Sequence, residues 1–552
     1  MTATSTFFSK FASRVRSLRW MVAPIVLLFV RDARLAAQQV GLAPLVTLTS
    51  EAEDRARLSQ LRGVPDADWF LIRSASRLTA RIDTVGRWRL GLLVPEVQAT
   101  HNSTIPYSLN DGAMWAGRGW SQQVTAGLSA RVGPVRLIAA PTALREENAV
   151  FQVIPYRQDA VPQRSPWANP FHPVPESIDL PLRFGDEPRR RVDAGQSSIT
   201  VDLSPVSFGF ANENLWWGPG IRNAIVLSNN AAGFPHAFVQ TSRPLGTAAG
   251  TFDAQWIVGQ LRESDFFDFD SLNNRRALSG LVLTWSPPGD SGLQLGLSRL
   301  VVSSRSKSGF PLGAAFDVLH SAGHTIADTT TKIYDSGKEQ IFSLFGRWVF
   351  PSAGFEGYAE WARFEEPNSF RDLLEFPGHS QGYTLGFQWA RPVLPEKTFR
   401  LQGEATYLEP DPSLRVRPVA ATYTSHSVPQ GFTQRGKTLG AAIGPGASSQ
   451  WLAGDLFAPE WRFGVYLSRI RWDNAALFEP IVPEFKRQDV TLLAGARASV
   501  SWREMNFMVD FSHAARFDYL FQAYVVAPGR TNGVDLINNS VSIVISSAVW
   551  PR

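Results

Sequence analysis

The stretch NENLWWGPGIRNAIVLSNNAAGFPH, residues 212–236, decides how the chain is read. Trp216 and Trp217 run into a Gly-Pro-Gly turn at 218–220, followed by an apolar run at 224–227. Then come two amides, Asn229 and Asn230, small residues, and Phe234-Pro235-His236. Glycine reaches backbone angles closed to other residues, and proline fixes one angle and removes a donor. The stretch therefore reads as a specified bend flanked by aromatics, not a flexible linker. On successive strand positions the two tryptophans would face opposite sides, one toward a membrane interface and the other toward a wet interior.

Outward from this bend the text alternates with period two. In FRLQGEATY, Phe399, Leu401, Gly403, Ala405 and Tyr407 share one face, and Arg400, Gln402, Glu404 and Thr406 share the other. Tyr383, Leu385, Phe387 and Trp389 repeat the pattern, as do Leu293, Leu295 and Leu297, and the run from Val490 to Trp502. A soluble sandwich alternates too. Two features favour a barrel in lipid: apolar faces end in aromatics at Trp285, Trp389, Trp461 and Trp502, and the opposite faces carry the Arg, Glu, Gln and Ser of a wet lumen. In lipid only a closed barrel satisfies every backbone group of its strands. The expected fold class is all-β: a large antiparallel transmembrane β-barrel of about 18 strands, with a short N-terminal helical segment.

The ends of the chain set further expectations. Within residues 1–37, six basic residues face one acid, so this segment carries the whole net charge of +5. The rest is neutral, which argues against a nucleic-acid surface. Arg14, Arg16 and Arg19 precede an apolar core at 20–30, shorter than a bilayer span, and Ala36 and Ala37 follow, the pattern of a cleaved secretory signal. Thr49 or Ser50 would cap a short periplasmic helix within 38–66, with acids in its first turn. The barrel with long extracellular loops is expected from 67 to 552, with candidate strands beginning at 69–82 and 87–99. The closing strand ends on Trp-Pro-Arg, away from the terminal aromatic usual in such barrels. The long connections at 148–196, 304–338 and 410–458 are expected to face outward.

WWGPG, LSNNA and FPH in the first stretch, YAEWARFEEPNSFRDLLEFPGHSQGYTLGFQW at 358–389 and GFTQRGKTLGAAIGPG at 431–446 together resemble the Wzi-type capsule-assembly family of bacterial outer membranes. The resemblance runs over most of the chain beyond about residue 67 and is weaker in the N-terminal third. It implies 18 strands and a surface protein, most simply a monomer in outer-membrane lipid, that holds exported capsular or exopolysaccharide non-covalently.

Sugars are held by aromatic faces and by planar amide or guanidinium groups. Trp216, Trp217, Arg222, Asn229, Asn230 and His236 offer these types in the first motif, and Gln434, Arg435 and Lys437 in the third. Against this, the tryptophans would serve equally as membrane girdle and the arginines as partners of lumen acids such as Glu360 or Glu404, while Glu360 and Arg363 suit a lumen or plug role. Signals for catalysis, cofactors and metals are poor. The chain has no cysteine and eight scattered histidines. His320 and His324 are separated by a loop-like Ser-Ala-Gly, the acids at 263–270 lack calcium-loop spacing, and GPGASSQ from Gly444 lacks the lysine of a phosphate loop. A porin for small solutes or oligosaccharides is the alternative function, and an outer-membrane hydrolase a distant third.

Overall fold

The computed structural model describes residues 41–63, 70–82, 88–156, 163–174, 176–290, 292–304, 309–325, 334–412, 419–477, 487–503, 505–527 and 530–547. The expected leader at 1–37 lies outside them. Eighteen strands form one antiparallel wall: β1 (Trp88–Leu93, Glu96–Asn102), β2 (Gly119–Thr125, Leu128–Val132), β3 (Val135–Ala139, Thr142–Glu146), β4 (Arg189–Asp193, Ser198–Asp202), β5 (Val206–Ala211), β6 (His236–Thr241, Leu245–Thr247), β7 (Gly250–Arg262), β8 (Arg275–Ser286), β9 (Leu293–Ser303), β10 (Lys338–Phe350), β11 (Phe355–Arg363), β12 (Gln381–Leu394), β13 (Lys397–Tyr407), β14 (Ser448–Phe457), β15 (Trp461–Arg471), β16 (Val490–Trp502), β17 (Met505–Phe517) and β18 (Leu536–Ser547). Each pairs with the next, and β18 returns to β1, with Ser540–Ile545 against Val97–Asn102. That pairing closes the ring, so the sheet is not one layer of a sandwich. A further strand, Gly41–Ala43, runs parallel to Gly91–Leu93 of β1.

Alternation assigns the faces as the sequence implies. Leu344, Leu385, Leu452, Phe463, Leu467, Leu492, Val509 and Ile543 are exposed on the outer surface, a belt that would be untenable in water over so many strands. Arg400, Gln402, Glu404 and Thr406 are buried on the inside. Trp285, Trp389, Trp461 and Trp502 all lie at the end where strands join by short turns, as a girdle at the periplasmic boundary does. The long connections leave from the other end, the side that faces outward in outer-membrane barrels.

The lumen is filled rather than open. Helix α1 (Glu51–Leu61) is capped by Ser50, whose hydroxyl accepts from the Glu53 N–H, and it sits inside the short-turn end of the ring. Of the candidate wall strand at 69–82, the described residues 70–82 instead enter the lumen: Ile72–Ser74 pairs with Leu215–Trp217, and α2 (Ala75–Ile82) follows. The cause is tertiary. Glu213 accepts from both the N–H and the hydroxyl of Ser76 at 2.7 Å, which caps the turn as a helix start. The wet interior expected from the polar faces is corrected as well. Leu278, Val282, Leu300, Val302 and Ile341 point inward and pack against Trp217, Ile225, Val226, Leu227, Tyr423 and Phe432 as one apolar core.

Candidate functional site

The three motifs meet in space. The Gly-Pro-Gly turn presents its carbonyls to the N-terminal segment: Pro219 accepts from Arg57 at 2.8 Å, and Gly220 from Arg73 at 3.0 Å. Gly218 has a φ of 103°, a conformation that suits glycine. Directly after the turn the amides of Ile221, Arg222 and Asn223 converge on the Glu404 carboxylate at 2.6, 3.1 and 2.8 Å, and the Tyr358 hydroxyl donates to it at 2.8 Å. Successive N–H groups of this kind form an anion-binding nest. Ile225 N–H donates to Glu360, from the second motif, at 3.1 Å. In the third motif Thr433–Gln434 and Lys437–Thr438 form a hairpin, and Asn230 donates to the Thr438 carbonyl and hydroxyl at 3.0 and 2.8 Å. Tyr423 donates to the Ile225 carbonyl and accepts from the Ala441 N–H, both at 2.8 Å.

The charged lining serves the plug. Arg400, Arg462 and Arg497 of the wall meet Asp455 of the wall and Asp54 and Glu51 of α1, with Arg400–Asp54 at 2.6 Å, Arg462–Glu51 at 2.7 Å and Arg497–Asp455 at 2.8 Å. Glu356 accepts from Arg57 at 2.6 Å, from Gln388 at 2.7 Å, and also from Arg347. Arg77 of α2 reaches Asp253 at 2.6 Å. Glu360 and Glu404 thus take backbone amides of the plug instead of the lumen arginines expected for them.

The nine candidate residues divide by access. Trp216 and Trp217 are both 0% exposed, so neither is a girdle residue and neither offers a free face; Arg73 stacks over Trp216 at 4.7 Å, and the Trp217 indole donates to Gln255 at 2.9 Å. His236 is buried with Nδ1 2.8 Å from the Phe234 carbonyl oxygen. Asn230 and Gln434 are buried in the plug, where Gln434 accepts from Arg262 N–H at 2.7 Å. Arg435 pairs with Asp193 at 2.6 Å and its N–H donates to the Arg262 carbonyl, which ties the upper ends of β4 and β7. Lys437 donates to the carbonyls of Gly112 and Met114 at 3.2 and 2.8 Å.

Arg222 and Asn229 remain. Both line a polar chamber of about 320 Å³ between the plug and the inner faces of β1, β2 and β14–β18. Trp451, Tyr466, Arg497, Tyr107 and Asn110 line it too, and none was singled out from the sequence. Arg222 and Arg497 both lie over the Trp451 ring at 5.5 Å. Tyr466 donates to Asp510 at 2.5 Å. A partial signal did exist: Trp451 shares the inward face with Asp455, and Tyr466 shares it with Arg462 and Ser468, so each is an aromatic beside charged or polar lumen residues.

Burial pushes the Lys437 ammonium down to about 8, against the opposing pull of Asp111 and Glu146. Between about 8 and the ordinary value near 10.4 the unfolded chain holds a proton that the folded one has released, so stability rises with pH across that window. Thermal midpoints measured from pH 7 to 10 are expected to show this rise in the native protein and to lack it in Lys437→Met.

A closed ring with an apolar belt, a paired inner face and a lumen filled by its own chain defines a plugged outer-membrane β-barrel. The chain belongs to the Wzi capsule assembly family, whose model, described as capsule assembly protein Wzi, matches residues 117–474. Among solved structures, Wzi of Escherichia coli aligns at 13% identity over 91% of this chain and 93% of its own, with a TM-score of 0.53. It is described as an outer membrane protein involved in group 1 capsule assembly and a carbohydrate-binding β-barrel. OccAB2 of Acinetobacter baumannii aligns at 8% identity over 82% of this chain and 98% of its own, with a TM-score of 0.38. No curated protein sequence matches the chain.

Proposed function

We propose that this protein binds exported capsular or exopolysaccharide at the outer face of the outer membrane and organises it there, without catalysis. Membership of the capsule assembly family supports the setting. The observation that carries the reading is the filled lumen: α1, α2 and the 212–235 and 419–447 segments are bonded to the wall by buried ion pairs and amide–carboxylate contacts. A porin needs a continuous aqueous path, which such a plug opposes.

The contacts proposed for the chain's own residues are Arg222 and Asn229 together with Trp451, Tyr466 and Arg497. Their chamber of about 320 Å³ falls in the usual range for small-ligand sites, ~300–1,000 Å³. An aromatic face beside guanidinium and amide groups suits one end or one branch of an acidic glycan.

Purified protein is expected to retain acidic capsular polysaccharide above a plain-barrel control and to give no steady conductance in planar bilayers. Arg222→Ala and Trp451→Ala are expected to lower retention several-fold while the folded barrel still migrates faster unheated than boiled. Retention equal to the control, or a steady open pore, would overturn the reading. Unchanged retention in both variants would remove the chamber and leave only the extracellular loops as the contact surface.

A further inference from the structure

Within the connection between β9 and β10, the stretch 309–323 folds down over the outside of the wall and crosses the outward faces of β5, β7, β8, β9 and β10. Phe310 packs on Phe210 at 5.3 Å, and Phe316 on Trp256 edge-on at 5.1 Å.

The wall beneath this strap breaks the pattern of the lipid belt. Outward positions at this height include the polar Gln260, Ser279, Arg299 and Gln340 beside the apolar Val258, Ala277 and Val301, each polar one in phase with apolar outward neighbours such as Leu283, Leu297 and Leu344. Ser279 lies six residues along β8 from the girdle residue Trp285. At ~3.3 Å per residue and ~45° of tilt that is about 14 Å of height, inside an apolar band ~25 Å tall. Bare polar groups at that depth are costly.

The strap's backbone satisfies Gln260, Ser279 and Arg299, while Gln340 accepts from Arg299 within the wall. The Ala315 carbonyl accepts from Trp256 Nε1 at 2.9 Å and Ser279 Oγ at 2.7 Å, the Val318 carbonyl from Arg299 at 2.9 Å, and the Gly309 carbonyl from Gln260 at 2.6 Å. Asp317 pairs with Lys338 at 2.9 Å. Two helical turns, Leu312–Ala314 and Asp317–Leu319, use further backbone groups internally. The bonded polar atoms of the strap thus turn toward the wall, and the large side chains it shows to the outside over 309–319 are Leu312, Phe316 and Leu319, at 64%, 56% and 59% exposure, with His320 and Ser321 exposed beyond them. Irregular backbone is excluded from lipid because its polar groups go unpaired, and here that objection is met.

We propose that the 309–323 strap lies in the outer leaflet of the membrane, with Leu312, Phe316 and Leu319 in contact with lipid acyl chains. The surface is continuous with the lipid-facing belt below it, which names the occupant. The strap restores an apolar exterior where the wall itself is polar.

The chain has no cysteine, so single-cysteine variants can be spin-labelled without background. Phe316→Cys and Leu319→Cys would be labelled in the full-length folded protein, in phosphatidylcholine–phosphatidylglycerol liposomes. Val239→Cys, in the exposed belt, and Val525→Cys, on the hairpin of Ala523–Ala527 and Arg530–Gly533, serve as references. Labels at 316 and 319 are expected to relax strongly with oxygen and weakly with a water-soluble nickel chelate, as at 239. Nickel access matching that at 525 would overturn the proposal. So would dipolar coupling between labels on separate molecules, since a second copy would then be the occupant. Leu312→Cys provides the same readout should either variant fold poorly.

Discussion

Asp455→Ala is expected to lower the stability of the docked N-terminal helix by about 3–5 kcal/mol, the usual cost of removing one member of a buried ion network. Three guanidiniums, Arg400, Arg462 and Arg497, meet three carboxylates, Asp455, Asp54 and Glu51. Without Asp455, the three wall arginines it bridges, Arg400, Arg462 and Arg497, lose a common partner, and one positive charge is left uncompensated inside the ring. The thermal midpoint is expected to fall, and protease added at the short-turn side should cut within 41–63 while the wall stays intact. A midpoint unchanged within error would show that the network is not what holds α1. Burial alone raises a carboxyl, yet Arg400 and Arg462 outweigh it and hold Asp54 far below the ordinary range. A depressed carboxylate contributes stability above its unfolded value and loses it as pH falls through the folded one. Helix docking is therefore expected to hold from neutral pH to about 4, the ordinary aspartate value, and to weaken only in stronger acid.

Glu404→Ala is expected to unfasten the stretch after the Gly-Pro-Gly turn. Its carboxylate accepts from three successive backbone amides and from the Tyr358 hydroxyl. A hydrogen bond to a charged group contributes about 1.5–3 kcal/mol, and contacts sharing one acceptor do not add, so the expected loss is about 3 kcal/mol or more. Hydrogen exchange at the amides of Ile221, Arg222 and Asn223 is the direct measure, since a general weakening of the wall would not single them out. Glu404→Gln keeps an acceptor oxygen without the charge and is expected to fall between native and alanine. Equal exchange in all three proteins would remove the nest from the account.

These two sites mark what the sequence made legible and what it hid. Strand phase was legible: Arg400, Gln402, Glu404 and Thr406 point inward and Leu401 and Tyr407 outward, because lipid on one side and polar contacts on the other impose period two. Girdle tryptophans at strand ends were legible for the same reason. The contents of the ring were not. Trp216 and Trp217 have the composition of an interface pair, and only Ile72–Ser74, some 140 residues earlier, turns them into plug. Residues 75–82 do place Ala75, Leu78 and Ile82 at helical spacing, a short stripe that the strand reading passed over, and Glu213 fixes the helix start from a distance. The inward Leu278, Val282, Leu300, Val302 and Ile341 of β8–β10 interrupt the alternation, as in the apolar runs 281–283 and 300–302. They needed an apolar partner inside, which only the third dimension supplies.

The parallel strand at Gly41–Ala43 takes the lower half of β1, leaving six residue pairs between β1 and β18, against twelve between β17 and β18. First and last strands are thus stitched along half their height, and beside that seam the 41–43 strand covers three residues of β1 without pairing to β18. Under heat or mechanical pull, the ring has a built-in tear line there. Closure of the ring during insertion is expected to end at that edge, with 41–43 already beside β1.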